Sequence, residues 1–297
     1  MKVVTFSQKS GPAVGWLEGD VVVDFTRAYR VSCAANGQGN GAEGASILDL
    51  LRAGLFTPET FALVRRFVKD HRMTKALTVD GPRLLAPIPR PPRITALGLN
   101  YAAHAKETGK KPPKEPMFFV KLSTSVIGPE EPVIYPKGVG RVDHEVELAV
   151  IIGKGGRNIP RRKAVEHIAG YTILNDVTAR DMQNADMAAA RPWYACKGID
   201  TFGPLGPCIT LPDEIQEPAE LNLSLRVNGE VKQSSNTGDL IFDIPELIHR
   251  LSRLVSLEVG EVISTGTPSG ITPLKPGDVM EAEIERIGVL RNPVRAA

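Results

Sequence analysis

Two glutamates, Glu145 and Glu147, have the spacing that puts both side chains on one side of a β-strand. Residues two apart on a strand share a face and lie roughly 7 Å apart. The apolar run that follows them to Gly153 is typical of a strand buried on both faces. Buried carboxylates repel each other unless a cation compensates them, and oxygen ligands favour Mg²⁺, Mn²⁺ or Ca²⁺ over zinc. Spacing alone leaves a metal site and a solvated pair both open, and His144 points to the other face.

A second run of alternating glutamates illustrates the solvated alternative. Its polar residues alternate with apolar ones in the order Met280-Glu281-Ala282-Glu283-Ile284-Glu285. This strand is polar on one face and apolar on the other, so we expect its glutamates to face solvent.

A third metal ligand could come from Asp176. If a helical turn starts near Asp176, then Asp176, Arg180 and Gln183 share one face at i, i+4 and i+7. Together they would supply a ligand, a carboxylate clamp and a hydrogen-bond donor. The alternative is that Asp176 only caps the helix and pairs with Arg180 at the surface.

An acid–base pair is expected on a short helix that Asn100 would cap and Gly109 would end. His104 and Glu107 lie three residues apart and are therefore neighbours on that helix. A carboxylate that orients a histidine prepares it to take a proton from water. An exposed pair without a function is the alternative.

Three further features could take part in chemistry. Lys197 would neutralise an oxyanion or would be an ordinary surface lysine. Cys196 lacks a recognisable partner base and is a weak candidate nucleophile. The glycine-flanked turn at residues 265–270 offers amides and hydroxyls to a carboxylate or phosphate, or is a plain turn.

The proline-rich segment 87–93 is the clearest boundary in the chain, because its prolines exclude the interior of a helix or sheet. We expect a small N-terminal domain over residues 1–86 and the main domain over residues 94–297. Within the first, we predict strands at 3–6, 13–17 and 21–25 and helices at 46–52 and from residue 58 toward His71. The Gly/Asn-rich residues 36–41 are expected to be a flexible connector rather than a phosphate-binding loop.

The main domain is expected to be rich in strands. We predict strands at residues 133–135, 142–152, 171–174, 221–227, 262–265 and 279–287, and helices at 101–108, 161–169 and 245–255. Asn228-Gly229 predicts a tight hairpin turn. An apolar stripe through Leu247, Ile248, Leu251 and Leu254 predicts a core-facing helix. Strands outnumber helices without regular alternation, which favours a β-rich α+β fold.

Composition excludes several classes of protein. The 297 residues carry a formal net charge of +2, which argues against a dedicated nucleic-acid binder. The longest apolar run, near residues 148–152, is far shorter than the roughly 20 residues of a membrane-spanning helix. The amino terminus lacks the apolar stretch of a secretory signal. Three cysteines without Cys-x-x-Cys spacing fit a reducing, cytoplasmic environment.

Five ordered segments together resemble the fumarylacetoacetate hydrolase family. They are residues 98–107, 143–153, 170–181, 197–202 and 265–270, and the resemblance covers roughly residues 87–294. The residues after Lys197 are Gly198-Ile199, where many relatives have Ser-Phe or Ser-Met. The turn after Gly270 also reaches residues 275–278 without the longer insertion of many relatives. Both departures border the expected pocket, so the resemblance implies the family and not a particular substrate.

The resemblance implies a fold and a set of roles. The fold is a mixed β-roll or β-sandwich catalytic domain, usually dimeric, that holds Mg²⁺ or a similar cation and has a small N-terminal α+β domain. Glu145, Glu147 and Asp176 match the metal ligands. His104 and Glu107 match the dyad that activates water in some members, Lys197 matches the active-site lysine, and the positions near substrate are matched by Arg180, Gln183 and Thr267.

These inferences lead to three hypotheses. The first is a metal-dependent, cytoplasmic, homodimeric hydrolase that cleaves a carbon–carbon bond of an acylpyruvate through a pyruvate enolate, as in the catabolism of aromatic compounds. The second is an isomerase, tautomerase or decarboxylase of related 2-oxo acids, such as 2-hydroxyhepta-2,4-diene-1,7-dioate or oxaloacetate. The third is a non-catalytic metal-binding scaffold. All three involve a small molecule or a metal and neither a nucleic acid nor a membrane.

Overall fold

The computed structural model describes residues 1–37, 46–107, 109 and 111–297. Residues 38–41 of the expected connector and Thr108, the expected last residue of a helix, lie outside this description. The strands, in chain order, are β1 (Lys2–Gln8), β2 (Gly11–Glu18), β3 (Val21–Asp24), β4 (Thr78–Val79), β5 (Leu84–Leu85), β6 (Ile94–Gly98), β7 (Met117–Lys121), β8 (Val126–Ile127), β9 (Val133–Tyr135), β10 (Val142–Asp143), β11 (Val146–Ile152), β12 (Ile168–Asn175), β13 (Thr178–Ala179), β14 (Gly203–Thr210), β15 (Asn222–Val227), β16 (Glu230–Asn236), β17 (Val262–Ser264), β18 (Val279–Ile284) and β19 (Gly288–Ala296).

Several of the helices begin at local sequence signals. They are α1 (Phe25–Ala35), α2 (Ile47–Arg52), α3 (Pro58–Asp70), α4 (Thr74–Leu77), α5 (Ala102–Glu107), α6 (Arg180–Ala188), α7 (Ala195–Gly198) and α8 (Ile244–Leu254). Ser46 and Asp49 form a reciprocal capping box at α2, and Thr57 caps α3 just before Pro58. Short 3₁₀ helices cover Ser123–Ser125, Arg161–His167, Pro212–Glu214 and Thr237–Asp239.

A large sheet forms the centre of the molecule. Its strand order is β4-β3-β2-β1-β14-β12-β11-β17-β6-β7, with β5 paired to β1 and β8 paired to β14. Strand β11 lies between antiparallel neighbours β12 and β17, and all seven of its residues are buried. The prediction that this apolar segment is a central strand is therefore confirmed. The predicted strand at 142–152 is not continuous, however: it is interrupted at His144 and Glu145, and its first two residues form β10 in a separate sheet.

Two smaller sheets complete the β structure. One has the order β16-β15-β18-β19-β9, and the other pairs β10 with β13. Asn228 and Gly229, both with positive φ, make the predicted turn between β15 and β16. In β18, Glu281 and Glu283 face outward and both pair with Arg226, as the solvated interpretation predicts.

Several local predictions differ from the structure. Helix α1 was not predicted: Asp24 ends β3 and caps this helix by accepting a hydrogen bond from the Arg27 amide. The helix expected at 161–169 is a 3₁₀ helix that gives way to β12, because Ile168 pairs with Ile152 of β11. In α8 the apolar stripe is buried except at Leu254, which is 66 % exposed. The β-rich α+β fold itself is confirmed.

Candidate functional site

The three predicted acidic ligands meet at one end of the β11–β12 pair. Glu147 lies on β11, Glu145 directly precedes β11, and Asp176 directly follows β12. Because Val146 pairs with Asn175 in antiparallel register, these residues are brought side by side. The Asp176 amide donates to the Glu145 carbonyl at 2.8 Å. One carboxylate oxygen from each acid lies within 4.8 Å of the others, and all three residues are buried.

The position of Asp176 corrects the helical prediction. Helix α6 begins only at Arg180, and β13 separates it from Asp176. Asp176 therefore does not share a helical face with Arg180 and Gln183. It does not cap the helix either, since the N-cap residue is Ala179, without a side-chain hydrogen bond. Strand pairing, rather than helical periodicity, brings Asp176 to the site.

Lys197 is buried at the centre of this acidic cluster. Its Nζ donates to Glu145 Oε2 at 2.8 Å and to Asp176 Oδ2 at 2.6 Å. The surface alternative for Lys197 is therefore wrong. Burial alone would lower the pKa of this ammonium, but the charges of Asp176 and Glu145 outweigh burial and raise it.

A second buried lysine, Lys121, was not predicted from the sequence. Its Nζ lies 2.9 Å from Asp176 Oδ1 and donates to the Lys197 carbonyl at 2.7 Å and the Val177 carbonyl at 3.3 Å. Burial lowers its pKa, although the charge of Asp176 opposes the shift. The available signal was a lysine that ends the apolar run of β7, where a buried charge requires a partner.

Glu145 and Glu147 differ in electrostatic environment. Burial alone would raise the pKa of Glu145, but Lys197 and Arg180 outweigh burial and hold it well below its usual range. Burial, together with the charges of Asp176 and Glu145, raises the pKa of Glu147 well above its usual value. The two carboxyls thus have opposite preferences for a proton.

The Glu147 carboxylate provides the test of whether a metal fits. Its Oε2 accepts hydrogen bonds from Ser264 Oγ at 2.5 Å and from the Gly266 amide at 2.9 Å. Its Oε1 is buried and makes no hydrogen bond. An orphaned buried oxygen beside two other carboxylates is costly unless a cation binds it. Three carboxylates therefore fit a hard divalent cation.

Arg180 joins the acidic cluster to helix α6. Its Nε donates to Asp143 Oδ2 at 2.7 Å, and its terminal nitrogens donate to Glu145 and Gln183. Burial opposes the charge of this guanidinium, but Glu145 and Asp143 raise its pKa above the usual value. The predicted clamp thus acts on Glu145 and Asp143 rather than on Asp176.

His104 and Glu107 form the predicted contact on α5, with Nδ1 and Oε2 at 3.1 Å. His104 is buried, which argues against an inconsequential exposed pair. The Asn100 side chain does not serve as predicted: it bonds to the carbonyls of Thr265 and Phe242 and to the Phe242 amide. It therefore fastens the start of the helix to two distant loops.

The turn at residues 265–270 makes its polar contacts within the protein. The Gly266 amide donates to Glu147, and the Gly270 amide donates to Glu107 Oε1 at 2.9 Å. Two amides of this turn thus bind candidate-site carboxylates of the protein itself.

His144 faces away from the acidic cluster, as its place in the sequence predicts. Its Nδ1 bonds to Gln233 Oε1 at 3.0 Å and its Nε2 to Thr272 Oγ1 at 2.8 Å. Burial lowers its pKa. The Gln233 amide also donates to Thr267 Oγ1, which in turn donates to the Val146 carbonyl. This network fixes Thr267 next to β11.

A small cavity of about 40 Å³ opens beside these residues. Its walls include His104, Glu145, Arg180, Gln183, Lys197 and Thr267. Glu147 and Asp176 lie behind this wall, clustered with Glu145, and Glu107 contacts His104. Cys196 is buried, and burial raises the pKa of its thiol to about 11, which disfavours a nucleophile.

Among the described residues, no helix has the length and apolar content needed to cross a membrane.

Comparisons with known proteins place the chain in a family. The family model described as "Fumarylacetoacetate (FAA) hydrolase C-terminal" matches residues 93–295. An uncharacterized protein of Pyrococcus abyssi is 50 % identical over 207 residues, which are 70 % of this chain and 92 % of that protein. The mitochondrial oxaloacetate tautomerase Fahd2a of Rattus norvegicus is 42 % identical over 217 residues, which are 71 % of this chain and 68 % of the relative.

Solved structures extend the similarity over the whole chain. A 5-carboxymethyl-2-hydroxymuconate delta-isomerase from Mycobacterium smegmatis is 34 % identical with a TM-score of 0.75, covering 100 % of this chain and 99 % of the other. Maleylpyruvate hydrolase from Sphingobium sp. SYK-6, in complex with manganese(II) and pyruvate, is 30 % identical with a TM-score of 0.77 and full coverage of both chains. The family match spans more than half of the sequence and these relatives share its fold, so this chain belongs to the fumarylacetoacetate hydrolase family.

Proposed function

We propose that the chain is a divalent-metal-dependent hydrolase that cleaves the C3–C4 bond of an acylpyruvate, a 2,4-dioxo acid. The observation that carries this proposal is that His104, which contacts Glu107, lines the same cavity as Glu145 of the buried carboxylate triad. A metal site and a proton acceptor on one cavity are what hydrolysis of such a substrate requires.

Glu145, Glu147 and Asp176 would hold Mg²⁺ or Mn²⁺, with Ca²⁺ as a weaker fit to the chemistry. When bound, the cation supplies Lewis acidity toward the 2-oxo carboxylate end of the substrate and toward the negative charge that develops there. Maleylpyruvate hydrolase from Sphingobium, which was solved with manganese(II) and pyruvate, supports this choice of metal and of ligand end.

His104 would take a proton from the attacking water. Since Nδ1 contacts Glu107, the proton would go to Nε2. The water oxygen adds to the C4 carbonyl, the C3–C4 bond breaks, and its electron pair goes to C3, which then accepts a proton. The products are a carboxylic acid and pyruvate.

Lys197 and Arg180 would have electrostatic and positioning roles in this reaction. Lys197 lines the cavity, and its ammonium would stabilise the enolate oxygen of departing pyruvate. Arg180 holds Glu145 in place and, with Gln183 and Thr267, would contact the substrate. The proposed assembly is a homodimer, which light scattering of the purified protein would test.

A second candidate function is tautomerisation or isomerisation of a 2-oxo acid. The 42 % identity to the rat oxaloacetate tautomerase and the 34 % identity to the M. smegmatis isomerase favour this alternative. The same metal end would bind, but no water would attack, so His104 would only move protons.

The deciding experiment uses metal-stripped protein reloaded with Mg²⁺ or Mn²⁺. Pyruvate release from 2,4-dioxopentanoate measures hydrolysis, and loss of enol absorbance from oxaloacetate measures tautomerisation. For a hydrolase, His104→Ala should lower kcat for cleavage by about 10²-fold or more. His71→Ala, at an exposed histidine at the end of α3, is the matched control. Full hydrolysis by His104→Ala would overturn the assigned role of this residue, and turnover of oxaloacetate alone would support the second candidate.

A further inference from the structure

An open groove of about 630 Å³ lies against the small polar cavity. Three side chains, Leu99, Phe119 and Trp193, line both spaces. The rest of the groove is mainly apolar and includes Met117, Phe118, Val120, Met187, Pro192 and Tyr194. Several of these are exposed, among them Met117 at 37 % and Tyr194 at 62 %. A large apolar surface that adjoins a reactive centre is a typical ligand-binding feature.

Aromatic side chains connect the polar cavity to this groove without a polar interruption. Lys197 Nζ lies 5.0 Å from the centre of the Phe119 ring. The Phe119 and Trp193 rings meet edge to face, with centroids 5.4 Å apart. A molecule that starts at Lys197 and extends past Phe119 therefore reaches the indole of Trp193.

The backbone at the end of β6 is shaped to admit this indole. A Cβ at Gly98 would lie 3.1 Å from the Trp193 ring and 2.3 Å from the Met117 methyl group, so a larger residue would push the wall aside. The next residue, Leu99, adopts φ +59°, a conformation that is rare for its type. Backbone strain of this kind concentrates at ligand sites.

Arg191, which also lines the groove, already forms an ion pair with Asp186. Arg191 Nε contacts Asp186 Oδ1 at 3.0 Å, and the Arg191 amide donates to the Asp186 carbonyl at 2.8 Å. A substrate with a distal carboxylate would have to compete for this guanidinium, whereas an alkyl or aryl group would contact the apolar wall directly.

We propose that this groove binds the distal acyl substituent of the substrate, that this substituent is an alkyl or aryl group of several carbons, and that Trp193 determines the specificity. This inference rests on the proposed function, because the polar cavity must hold the 2-oxo acid end. It narrows the substrate class to acylpyruvates with an apolar tail and disfavours short dicarboxylic acids.

The first test compares kcat/KM for 2,4-dioxo acids of increasing chain length, from 2,4-dioxopentanoate to 2,4-dioxononanoate, and for oxaloacetate. Each added CH₂ should raise kcat/KM by up to about fourfold. In Trp193→Ala this slope should become nearly flat. A flat slope in the unmodified protein, or a preference for oxaloacetate that Arg191→Gln removes, would overturn the proposal.

The second test measures binding without turnover. N-alkyl oxamates carry the 2-oxo acid end and an alkyl tail, and calorimetry on Mn²⁺-loaded protein gives their Kd. Affinity should increase from N-ethyl to N-hexyl oxamate in the unmodified protein and much less in Trp193→Ala. Equal affinity for all tails would contradict the inference about the groove, while failure of any oxamate to bind would instead contradict the proposed 2-oxo acid site.

Charged substitutions separate this role from a contact between copies of the chain. Met117→Glu and Met187→Glu should weaken N-hexyl oxamate binding more than N-ethyl oxamate binding. Val231→Glu, at an exposed apolar residue on β16 outside the groove, should change neither. If the two groove variants instead only convert a dimer to a monomer in light scattering, with tail preference unchanged, the groove is an interface and the proposal is wrong.

Discussion

Two buried oxygens of the triad make no hydrogen bond, Asp176 Oδ1 and Glu147 Oε1. Asp176 Oδ1 lies 2.9 Å from Lys121 Nζ, whereas Glu147 forms no ion pair among the described residues. Its raised pKa follows from burial next to two other acids. In the absence of metal, a neutral side chain is therefore favoured at this position. With metal bound, the ionised form is required, so stability and metal binding make opposite demands on this residue.

Glu147→Gln should separate these two demands. The amide keeps an acceptor for Ser264 and Gly266 and removes a buried charge, so the metal-free variant should be at least as stable as the unmodified protein. The Tm of the unmodified protein should rise with Mn²⁺ by mass action, and that rise should be largely lost in the variant. Thermal denaturation of both proteins, once with added Mn²⁺ and once with excess chelator, measures both effects.

Glu283→Gln is the matched control for this experiment. Glu283 lies on β18, its side chain is 44 % exposed, and it pairs with Arg226. The Glu283→Gln variant should keep the metal-induced rise in Tm. An equal loss of the rise in both variants would show that the effect does not come from the triad.

Lys121 is also a residue-scale case, because its ammonium contacts Asp176 and the backbone carbonyls of Val177 and Lys197. Lys121→Met removes one of the two ammonium groups beside a fully buried carboxylate. We expect a loss of roughly 3 kcal/mol in unfolding free energy, the size found when one partner of a buried ion pair is removed. Urea denaturation measures it, and Lys232→Met, at a lysine paired with exposed Glu230, should cost less than about 1 kcal/mol.

At the scale of elements, predictions succeeded where the signal is local. The Ser46 and Thr57 caps, the Asn228-Gly229 turn and the apolar run of β11 each contain their own determinants within a few residues. Predictions failed where pairing with distant residues decides the outcome. Asp176 reaches the triad through the pairing of Val146 with Asn175, which no helical period encodes.

The same distinction applies to the candidate site. The His104–Glu107 interval was readable from the sequence because both residues lie on one helix. The glutamate spacing indicated the acidic pair, although Glu145 lies just before β11 and only Glu147 lies on it. Lys121 was missed because its partner, Asp176, is 55 residues away and its own neighbours are apolar. Family resemblance supplied the candidate roles, which spacing alone left undecided.

Helix α1 offers a prediction about capping and pH. Asp24 Oδ1 accepts the Arg27 amide at 2.9 Å, while Oδ2 is buried and makes no hydrogen bond. Asp24→Ala should cost about 1 kcal/mol because it removes the cap. Asp24→Asn keeps the acceptor and should cost less.

The effect of pH on Asp24→Asn follows from the pKa of the Asp24 carboxyl, which burial raises. A folded-state pKa above the unfolded value means that ionised Asp24 destabilises the fold at neutral pH and that this penalty disappears as the pH falls through both values. Asp24→Asn lacks the penalty, so its stability relative to the unmodified protein should be highest near pH 7 and decrease toward pH 4. A difference that grows on acidification would contradict this account.

At the scale of the whole molecule, the sheet crosses the predicted domain boundary. Strand β1 pairs with β14 through Lys2 with Thr210 and Val3 with Ile209, more than 200 residues apart. One hydrophobic cluster contains Val3 and Trp16 together with Ile151 of β11 and Ile209 of β14. The division at residues 87–93 remains a prediction, but these contacts give the two parts a shared core.

The shared core predicts that both parts unfold together, and the sequence contains two tryptophans that can report on it. Trp16 lies in the N-terminal strands and Trp193 beside the candidate site. In Trp16→Phe and Trp193→Phe, each remaining indole should follow the same urea transition as the far-ultraviolet circular dichroism of that variant, as two-state unfolding requires. If Trp16 fluorescence changed at a lower urea concentration than the circular dichroism, the N-terminal part would unfold on its own. The buried contacts of β1 with β14 would then contribute too little to couple it to the strands that carry the triad.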